Sequence, residues 1–260
     1  MLLTKLATYN KNFWLVVIPA HTLGVAALFC MPEYFVSFLV MWFVIGIIGN
    51  GVASHRYLIH EQFETYTVIH WMMCLLATLG AILPITAFSI FHKEHHAVAD
   101  SENDHASPST NSMWYVMYRQ MFRVENDLDK LLKKTWVKRL IIKQQKDPAI
   151  NFFNKNHFLI IHSFSIILLL IDPVLCLVYW LAVATEYLRM GSISWFCHNN
   201  GGYRNYDLRD NSCNNLIIGW LGMGIGWHNN HHADPKRLIL TDRWWEIDVE
   251  GYIGYLLRKR

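Results

Sequence analysis

The sequence predicts an all-α membrane protein with four transmembrane helices in two hairpins and a histidine-rich helical cap on the cytosolic side. Three observations predict this fold class: apolar runs paired across short breaks, positive charge on one side of those runs, and three dense histidine clusters near their ends. No repeat, low-complexity tract or flexible linker divides the chain, so residues 1–260 are expected to form a single membrane domain.

The first predicted hairpin consists of spans at about residues 13–30 and 35–53, joined across Met31-Pro32-Glu33. Each run approaches the ~20 residues that an apolar helix needs to cross a bilayer. Because the link is so short, the second span must run back beside the first. The residues that follow it therefore emerge on the side of the N-terminus.

A further apolar stretch, residues 66–88, is long enough for a span but is expected to lie in the membrane interface or to re-enter. If it crossed the bilayer, the histidines before and after it would lie about 30 Å apart and could share no site. Pro84 is expected to help bend this stretch, because a proline removes a backbone hydrogen bond from a helix interior.

The second predicted hairpin consists of spans at about residues 155–171 and 174–188, broken at Asp172-Pro173. The cytosolic cap then comprises residues 54–154 and 190–260. Neither outer link contains Lys or Arg, and all 23 Lys and Arg residues lie at or beyond the opposite ends of the spans. By the positive-inside rule that side is cytoplasmic, which predicts an integral, multi-pass protein of a bacterial inner membrane or the endoplasmic reticulum.

Composition and missing motifs exclude several function classes. A net charge of +3 without a recognition motif gives no support for nucleic-acid binding. The five cysteines are scattered without a C-x-x-C pair, which argues against a disulfide framework. No G-x-S-x-G, P-loop or G-x-G-x-x-G motif supports a hydrolase, an NTPase or a dinucleotide-binding protein.

Eight of the fourteen histidines lie in three short clusters. The clusters are His55-Arg-Tyr-Leu-Ile-His60, His92-Lys-Glu-His95-His96 and His228-Asn-Asn-His231-His232. Positions i, i+3 and i+4 share a helix face, so the second and third clusters are each expected to aim three imidazoles at one point. His55 and His60 would lie about 140° apart on an α-helix. Either each reaches a different metal, or the helix bends there.

This histidine content indicates two metal ions. Imidazole suits iron, zinc or copper, and eight rings are more than one ion needs. His198, which follows the last apolar run, is a ninth candidate. Soluble di-iron bundles use paired Glu-x-x-His motifs, and only Glu102-Asn-Asp-His105 matches here. The absence of H-E-x-x-H disfavours a zinc protease, so the sequence predicts a two-metal, histidine-rich site facing the membrane.

Several motifs resemble those of one known family. The most specific is Gly226-Trp-His-Asn-Asn-His-His-Ala233, followed by Pro235 and preceded by Tyr203-Arg-Asn-Tyr206 and Asp210-Asn-Ser-Cys-Asn-Asn215. Together with the first two clusters, these motifs resemble the membrane-bound fatty acyl desaturases of the Δ9, stearoyl-CoA-type group, over about residues 46–247.

That resemblance implies an oxidoreductase that removes two hydrogens from a saturated acyl chain and leaves a cis double bond, expected at Δ9. It implies two irons, with O₂ as co-substrate. The acyl chain would arrive as a CoA, acyl carrier protein or glycerolipid ester. Electrons would come from a separate ferredoxin or cytochrome b5. The implied ligands are His55, His60, His92, His95, His96, His198, His228, His231 and His232.

Four polar residues are expected to support these ligands. Asn229, Asn230 and Asp234 are candidates for hydrogen bonds that fix the imidazole rings. Ser194 stands where the family often has an Asn linked through water to a metal, so the geometry near His198 is expected to differ here.

Five further residues are expected to contact the substrate. Trp71, Trp195 and Trp227 are candidates for the wall of an apolar acyl tunnel. Lys93 and Arg204 are candidates for contacts to an acidic head group such as CoA. The alternative for this pair is ordinary positive charge on the cytoplasmic side.

Two other classes stay open at this point. Membrane hydroxylases and ketolases that act on lipids or hydrocarbons also carry three histidine boxes, although the Trp-His-Asn-Asn-His-His run with its Asp-Asn-Ser prelude favours a desaturase. A metal transporter would hold its site near the bilayer midplane. The clusters of this chain lie beyond the predicted span ends instead.

Overall fold

The computed structural model describes residues 19, 21–104, 106–118, 130–199 and 201–259. Over these residues the regular structure is helical, without strands, and isolated β-bridges join Asn214 to Tyr203 and to Trp227. The helices, in chain order, are α1 (His21–Cys30), α2 (Pro32–Ile59), α3 (Thr67–Leu79), α4 (Ile85–Val98), α5 (Met113–Tyr118), α6 (Thr135–Lys146), α7 (Pro148–Lys155), α8 (His157–Ile171), α9 (Pro173–Phe196), α10 (Leu216–Leu221), α11 (His228–Ala233) and α12 (Val249–Leu257).

Two of the described helices, α2 and α9, are long and apolar enough to cross a membrane. The pair α7 and α8, bent by 68°, meets the same criterion together, and α1 and α3 are shorter apolar helices. Of the predicted first span, residues 13–18 and 20 lie outside the described part of the chain. The described residues therefore hold two membrane-crossing candidates, or three with the bent pair. The arrangement of four spans in two hairpins stays a prediction.

The two predicted outer links lie next to each other. The hydroxyl of Tyr34, at the start of α2, donates a hydrogen bond to the carboxylate of Asp172, which precedes α9. Asp172 also accepts from the backbone N–H of Val174 at 2.8 Å, and Pro173 occupies the first helical position. An Asp cap followed by proline is a strong helix-start signal. The same side chain therefore starts α9 and joins the two links.

The chain between the first two histidine clusters turns back at a break between α3 and α4. Ala81 has a left-handed φ of 53°, and Pro84 directly precedes α4. Two tyrosines of α9 satisfy carbonyl groups that the break exposes: Tyr179 donates to Leu79 at 2.8 Å and Tyr187 donates to Ala81 at 2.7 Å. The break directs α4 back towards the end of α2. The interfacial or re-entrant placement of this stretch stays a prediction.

The hydrogen bonding of α2 changes along its length. The helix begins with a 3-10 turn, is α-helical over Phe35–Trp42 and is π-helical over Phe43–Ile59. A π-helix closes each turn with an i→i+5 bond and is frequent at functional sites. Residues five apart therefore lie nearly above one another. This period produces one stripe of Gly46, Gly51 and Arg56 and another of Asn50, His55 and His60.

The glycines of the first stripe let two buried carboxylates reach α2. A Cβ atom at Gly46 would lie 2.8 Å from a carboxylate oxygen of Glu186, and one at Gly51 would lie 2.0 Å from a carboxylate oxygen of Glu250. Neither approach leaves room for a larger side chain. The two acidic residues come from α9 and α12, so this stripe is where three helices meet.

These carboxylates belong to a buried ion network. Arg56 donates to Asp248 at 2.7 Å and to Glu250 at 3.4 Å. Arg189 donates to Glu250 at 2.9 Å and makes two bonds of 2.7 Å to Glu186. Removing one partner of a buried pair leaves an uncompensated charge and costs about 3–5 kcal/mol. The network thus ties α2, which carries the first histidine cluster, to α9 and to α12.

Candidate metal centre

The first group of histidines lies where α2, α4 and α11 meet. His55, His60, His92 and His231 each place a ring nitrogen within 4.8 Å of the others. The Nε2 atom of His92 lies 3.1 Å from that of His55 and 2.8 Å from that of His60. His96 adds a fifth ring, with its Nε2 atom 3.0 Å from those of both His92 and His231. Five imidazoles therefore converge in the first group.

The second group lies where α4 and α11 meet the residues that follow α9. His95, His198, His228 and His232 place their ring nitrogens within 4.8 Å of one another. The Nε2 atoms of His198 and His228 are 3.0 Å apart. The ring of His232 stacks on that of His96 at 4.3 Å, so the two groups lie side by side. All nine predicted ligands are thus found in two adjacent groups.

The second and third clusters do not each aim three rings at one point, so that expectation was wrong. In the second cluster, His92 and His96 join the first group and His95 joins the second. In the third, His228 and His232 join the second group and His231 joins the first. At ~100° per residue, positions i+3 and i+4 diverge by about 100°. One helix turn can therefore supply histidines to both groups.

The open question about His55 and His60 is answered by the π-helix. Both rings belong to the first group, and the backbone N–H of His60 donates to the carbonyl of His55 at 3.1 Å. This i→i+5 bond brings the two side chains to the same face, where an α-helix would separate them by about 140°. The two residues do not reach different groups.

The distances between ring nitrogens fit a metal better than hydrogen bonds. The Nε2 atom of His92 lies within 3.1 Å of three other Nε2 atoms, those of His55, His60 and His96. A neutral imidazole carries a single N–H, so these contacts cannot all be hydrogen bonds. The Nε2 atom of His232 is buried without a hydrogen-bond partner in the described part of the chain. Such a set of nitrogen donors suits iron, zinc or copper.

Burial keeps these rings in the neutral form that binds metals. It lowers the pKa of His60 to about 3, with Lys93 and Arg56 adding to the effect. Burial, followed by the neighbouring histidines, lowers the pKa of five more rings well below its usual value: His92, His96, His228, His231 and His232. Protons therefore compete weakly with a metal ion at neutral pH.

Three histidines of the second group each contact a carboxylate through Nδ1. The pairs are His95 with Asp104 at 3.1 Å, His198 with Asp100 at 2.7 Å and His232 with Asp210 at 3.0 Å. A carboxylate there accepts the Nδ1–H, fixes the tautomer and leaves Nε2 for a metal.

Sequence reasoning missed all three of these carboxylates. Asp100 and Asp104 lie four and eight residues after His96, in the polar segment that follows α4. Asp210 opens the Asp-Asn-Ser stretch that supported the family resemblance. The available signal was thus an aspartate close behind a histidine cluster, or within a motif already singled out.

Asn229 and Asn230 hold the surrounding loops and make no hydrogen bond to a histidine in the described residues. The side-chain oxygen of Asn229 accepts from the backbone N–H groups of Asn205 and Tyr206, both at 2.8 Å. Asn230 donates to the carbonyl of Leu240 at 2.9 Å and to the carboxylate of Glu246 at 3.0 Å. Both side chains thus fix the position of α11 as a whole.

The other two residues expected to orient the rings contact neighbouring backbone. Asp234 accepts from the backbone N–H of Lys236 at 3.1 Å. The hydroxyl of Ser194 donates to the carbonyl of Met190 at 3.4 Å, one turn earlier in α9. Neither hydrogen-bonds a histidine within the described ranges.

The three tryptophans expected to line a tunnel lie in different surroundings. Trp71 is half-exposed on α3 and contacts the ring of Phe153 at 6.0 Å. Trp195 is partly buried near the end of α9. Trp227 is fully buried, and its indole N–H donates to the carbonyl of Ile247 at 2.9 Å.

The two basic residues expected at the head group also differ. Arg204 is exposed, and its guanidinium donates to the carbonyls of Leu208 and Asp210, both at 2.8 Å. It thereby holds the loop that presents Asp210 to His232. Lys93 is half-buried, and burial lowers its pKa while Glu61 opposes the change.

Comparison with known proteins agrees with this geometry. The family model for fatty acid desaturases matches residues 34–248, which include all nine histidines of the two groups. The chain belongs to the fatty acid desaturase family.

Relatives within the family have different regiospecificities. The chain is 26% identical over 229 residues to an icosanoyl-CoA 5-desaturase of Limnanthes douglasii, covering 86% of this chain and 62% of that protein. It is 27% identical to an sn-1 stearoyl-lipid 9-desaturase of Anabaena variabilis, covering 85% and 79%. It is also 27% identical to a chloroplastic palmitoyl-monogalactosyldiacylglycerol delta-7 desaturase of Arabidopsis thaliana, covering 94% and 65%. The chain thus spans less than two thirds of the first and third of these proteins.

Proposed function

We propose that this protein is an O₂-dependent fatty acyl desaturase that introduces a cis double bond into a saturated acyl chain. The observation that carries the proposal is the convergence of nine histidines from distant parts of the chain into two adjacent groups. Family membership supports the same conclusion.

The residues suit two iron ions, one in each group. Five imidazoles would hold the first ion and four would hold the second, with the Nε2 atoms turned inward and three Nδ1 atoms turned towards carboxylates. Bound iron would supply the O₂ activation needed to remove two hydrogens from an unactivated hydrocarbon. The protein's own part is to keep the rings neutral and fixed and to exclude water, since most of these side chains are buried.

The double-bond position is proposed as Δ9 on the basis of the Trp-His-Asn-Asn-His-His run and its Asp-Asn-Ser prelude. A saturated chain offers no hydrogen bond to read, so the length and bend of an apolar tunnel must select the carbon. We place the protein in a membrane with its metal centre at the cytoplasmic face. It would receive electrons from a separate ferredoxin or cytochrome b5, since the sequence has no flavin or haem motif.

The acyl chain would enter as a CoA, acyl carrier protein or glycerolipid ester. Lys93 supports an anionic head group, because it lies close enough to Lys143 and Lys236 for each to lower its pKa. Glu61 lies among the three amines and pairs with Lys143 at 2.6 Å, so the region keeps a net positive charge. It lies next to the first histidine group, since Lys93 follows His92 directly.

Gas chromatography of fatty acids from a heterologous host tests the proposal. The wild-type chain should add an unsaturated product that requires O₂, and His95→Ala and His231→Ala should each abolish it. Asp242→Asn is the control, because Asp242 pairs with Arg237 on the surface at 2.7 Å. All variants should reach the membrane in equal amounts. A hydroxylated or keto product would instead indicate the related hydroxylases and ketolases, and retained product in either histidine variant would refute the site.

A further inference from the structure

The two histidine groups differ in the charge of their surroundings. In the second group, three of the four rings contact a carboxylate through Nδ1. In the first group, none of the five rings contacts a carboxylate among the described residues. The Nδ1 atoms of His55 and His231 are buried without a partner there, as is that of His228, the fourth ring of the second group. The two groups are therefore not equivalent sites.

The carboxylates of the second group are themselves held in place. Asp104 accepts from the backbone N–H groups of Asp100 and Ala106 at 2.9 and 2.8 Å. Asp100 accepts from the backbone N–H of Asn211 at 2.7 Å and from the hydroxyl of Ser107 at 2.9 Å. These contacts orient the carboxylates before any ion binds, so no ordering is needed when one does.

Charged groups near the first group are mainly cationic. Arg56 is adjacent in sequence to His55, and Lys93 is adjacent to His92. Arg56 is neutralised by its own partners, Asp248 and Glu250. Lys93 lies near Glu61, but Glu61 also pairs with Lys143 at 2.6 Å, so these three side chains together carry a net positive charge. Positive charge close to a metal position opposes metal binding by Coulomb repulsion.

We infer that the second group holds its metal ion more tightly than the first, because Asp100, Asp104 and Asp210 act as positioning residues for its histidines. A carboxylate on Nδ1 raises the basicity of the imidazole, and loss of such a partner costs about 10–100-fold in metal affinity. Among the residues that the structure describes, the first group has no such partner. This inference rests on the proposed two-iron function and predicts the order of metal release: the ion in the first group leaves before the ion in the second group.

Release of iron to a chelator tests this order. The full chain, purified in detergent with its iron, is reduced anaerobically and mixed with an excess of a ferrous chelator that absorbs light on binding. We expect two phases of about one ion per chain each. His60→Ala should lack the fast phase and keep the slow one. Loss of the slow phase in His60→Ala, with the fast phase kept, would overturn the inference.

Isosteric variants test the carboxylates. Asp100→Asn, Asp104→Asn and Asp210→Asn should each accelerate the slow phase by about 10–100-fold and leave the fast phase unchanged. Asp210→Glu keeps the charge and should restore slow release, and the surface variant Asp242→Asn should behave as wild type. Asp210 is the most accessible of the three, with 14% side-chain exposure, so its variant is the least demanding for folding.

This experiment distinguishes loss of the proposed two-metal function from equivalence of the two metal sites. Purified protein that binds one iron or none would refute the proposed two-metal function. Two ions that leave at a single rate, or Asp→Asn variants that change only the fast phase, would refute the inequivalence while leaving the two-metal function intact.

Discussion

The backbone N–H of His60 donates to the carbonyl of His55 at 3.1 Å, and this single bond decides how the first histidine cluster is used. It is the last i→i+5 contact of a π-helix that covers Phe43–Ile59. On an α-helix the two rings would point in different directions, whereas here both contact the ring of His92. Local helix geometry thus places both residues in the first histidine group.

Substitution of the two residues should therefore be non-additive. His55→Ala and His60→Ala should each lose the same one of two ions, and the double variant should still retain one. His198→Ala should lose the other ion. Metal-to-protein ratios from mass spectrometry of purified variants measure this directly. A double variant without any metal, in a protein that is still folded, would show that the two rings serve different positions.

Gly51 should not tolerate a side chain. The Cβ atom of Gly51→Ala would meet the Glu250 carboxylate at 2.0 Å, so Glu250 would have to leave its arginine partners. We expect a loss of about 3–5 kcal/mol in the free energy of unfolding, as for a buried ion pair that loses one partner. Val36→Ala is the control on the same helix, since Val36 is 68% exposed, and should change stability by less than about 0.5 kcal/mol. Equal thermal stability of the two variants would argue against the close contact.

Glu250 should give stability a specific pH dependence. Burial raises its pKa from 4.5 to about 7, against the opposing effect of Arg189 and Arg56. The folded state then binds more protons than the unfolded state between pH 4.5 and 7. The contribution of this group is therefore present below pH 4.5 and is lost as pH rises to 7, by about 3 kcal/mol.

Glu250→Gln isolates that contribution, because glutamine does not titrate. Denaturant unfolding at several pH values should show that the stability of wild type relative to Glu250→Gln falls as pH rises from 4.5 to 7. A difference that is constant or increases with pH would mean that the carboxylate is ionised throughout this window.

Arg204 and Lys93 should affect different steps. Arg204→Ala loosens the loop that presents Asp210 to His232, so we expect faster metal loss from the second group with an unchanged KM. Lys93→Ala removes a half-buried amine, so we expect a higher KM for acyl-CoA with both ions retained. Steady-state kinetics and metal analysis of the same preparations separate the two effects. An effect of Arg204→Ala on KM alone would return that residue to the head-group site.

Much of the site follows from local sequence. The histidine spacing identified eight of the nine residues that the structure brings together, and His198 was identified by its place after the last apolar run. The need for the first two clusters to meet predicted that the chain between them turns back. What local spacing could not predict was the distribution of the rings. In the second cluster, His92 belongs to the first group and His95 to the second. This division could not be predicted, because each group also needs histidines from other helices, and these come together only in the folded chain.

The remaining features depend on tertiary contacts. In the π-helical part of α2, the carboxylates of Glu186 and Glu250 pack against glycines of the helix. Both acidic residues lie more than a hundred positions after those glycines in the sequence. Asp210 reaches His232 only through a loop that Arg204 fixes. Asn229 and Asn230 were expected to orient the imidazole rings, but their side chains form hydrogen bonds to the neighbouring loops instead. An asparagine next to a histidine can form either kind of hydrogen bond, so the sequence did not distinguish them.

Crystals of the purified protein would locate the metal ions. Anomalous diffraction at the iron edge should show two peaks per chain, one among His55, His60, His92, His96 and His231 and the other among His95, His198, His228 and His232. A single peak, or iron bound away from these rings, would refute the proposal that each histidine group holds one iron ion.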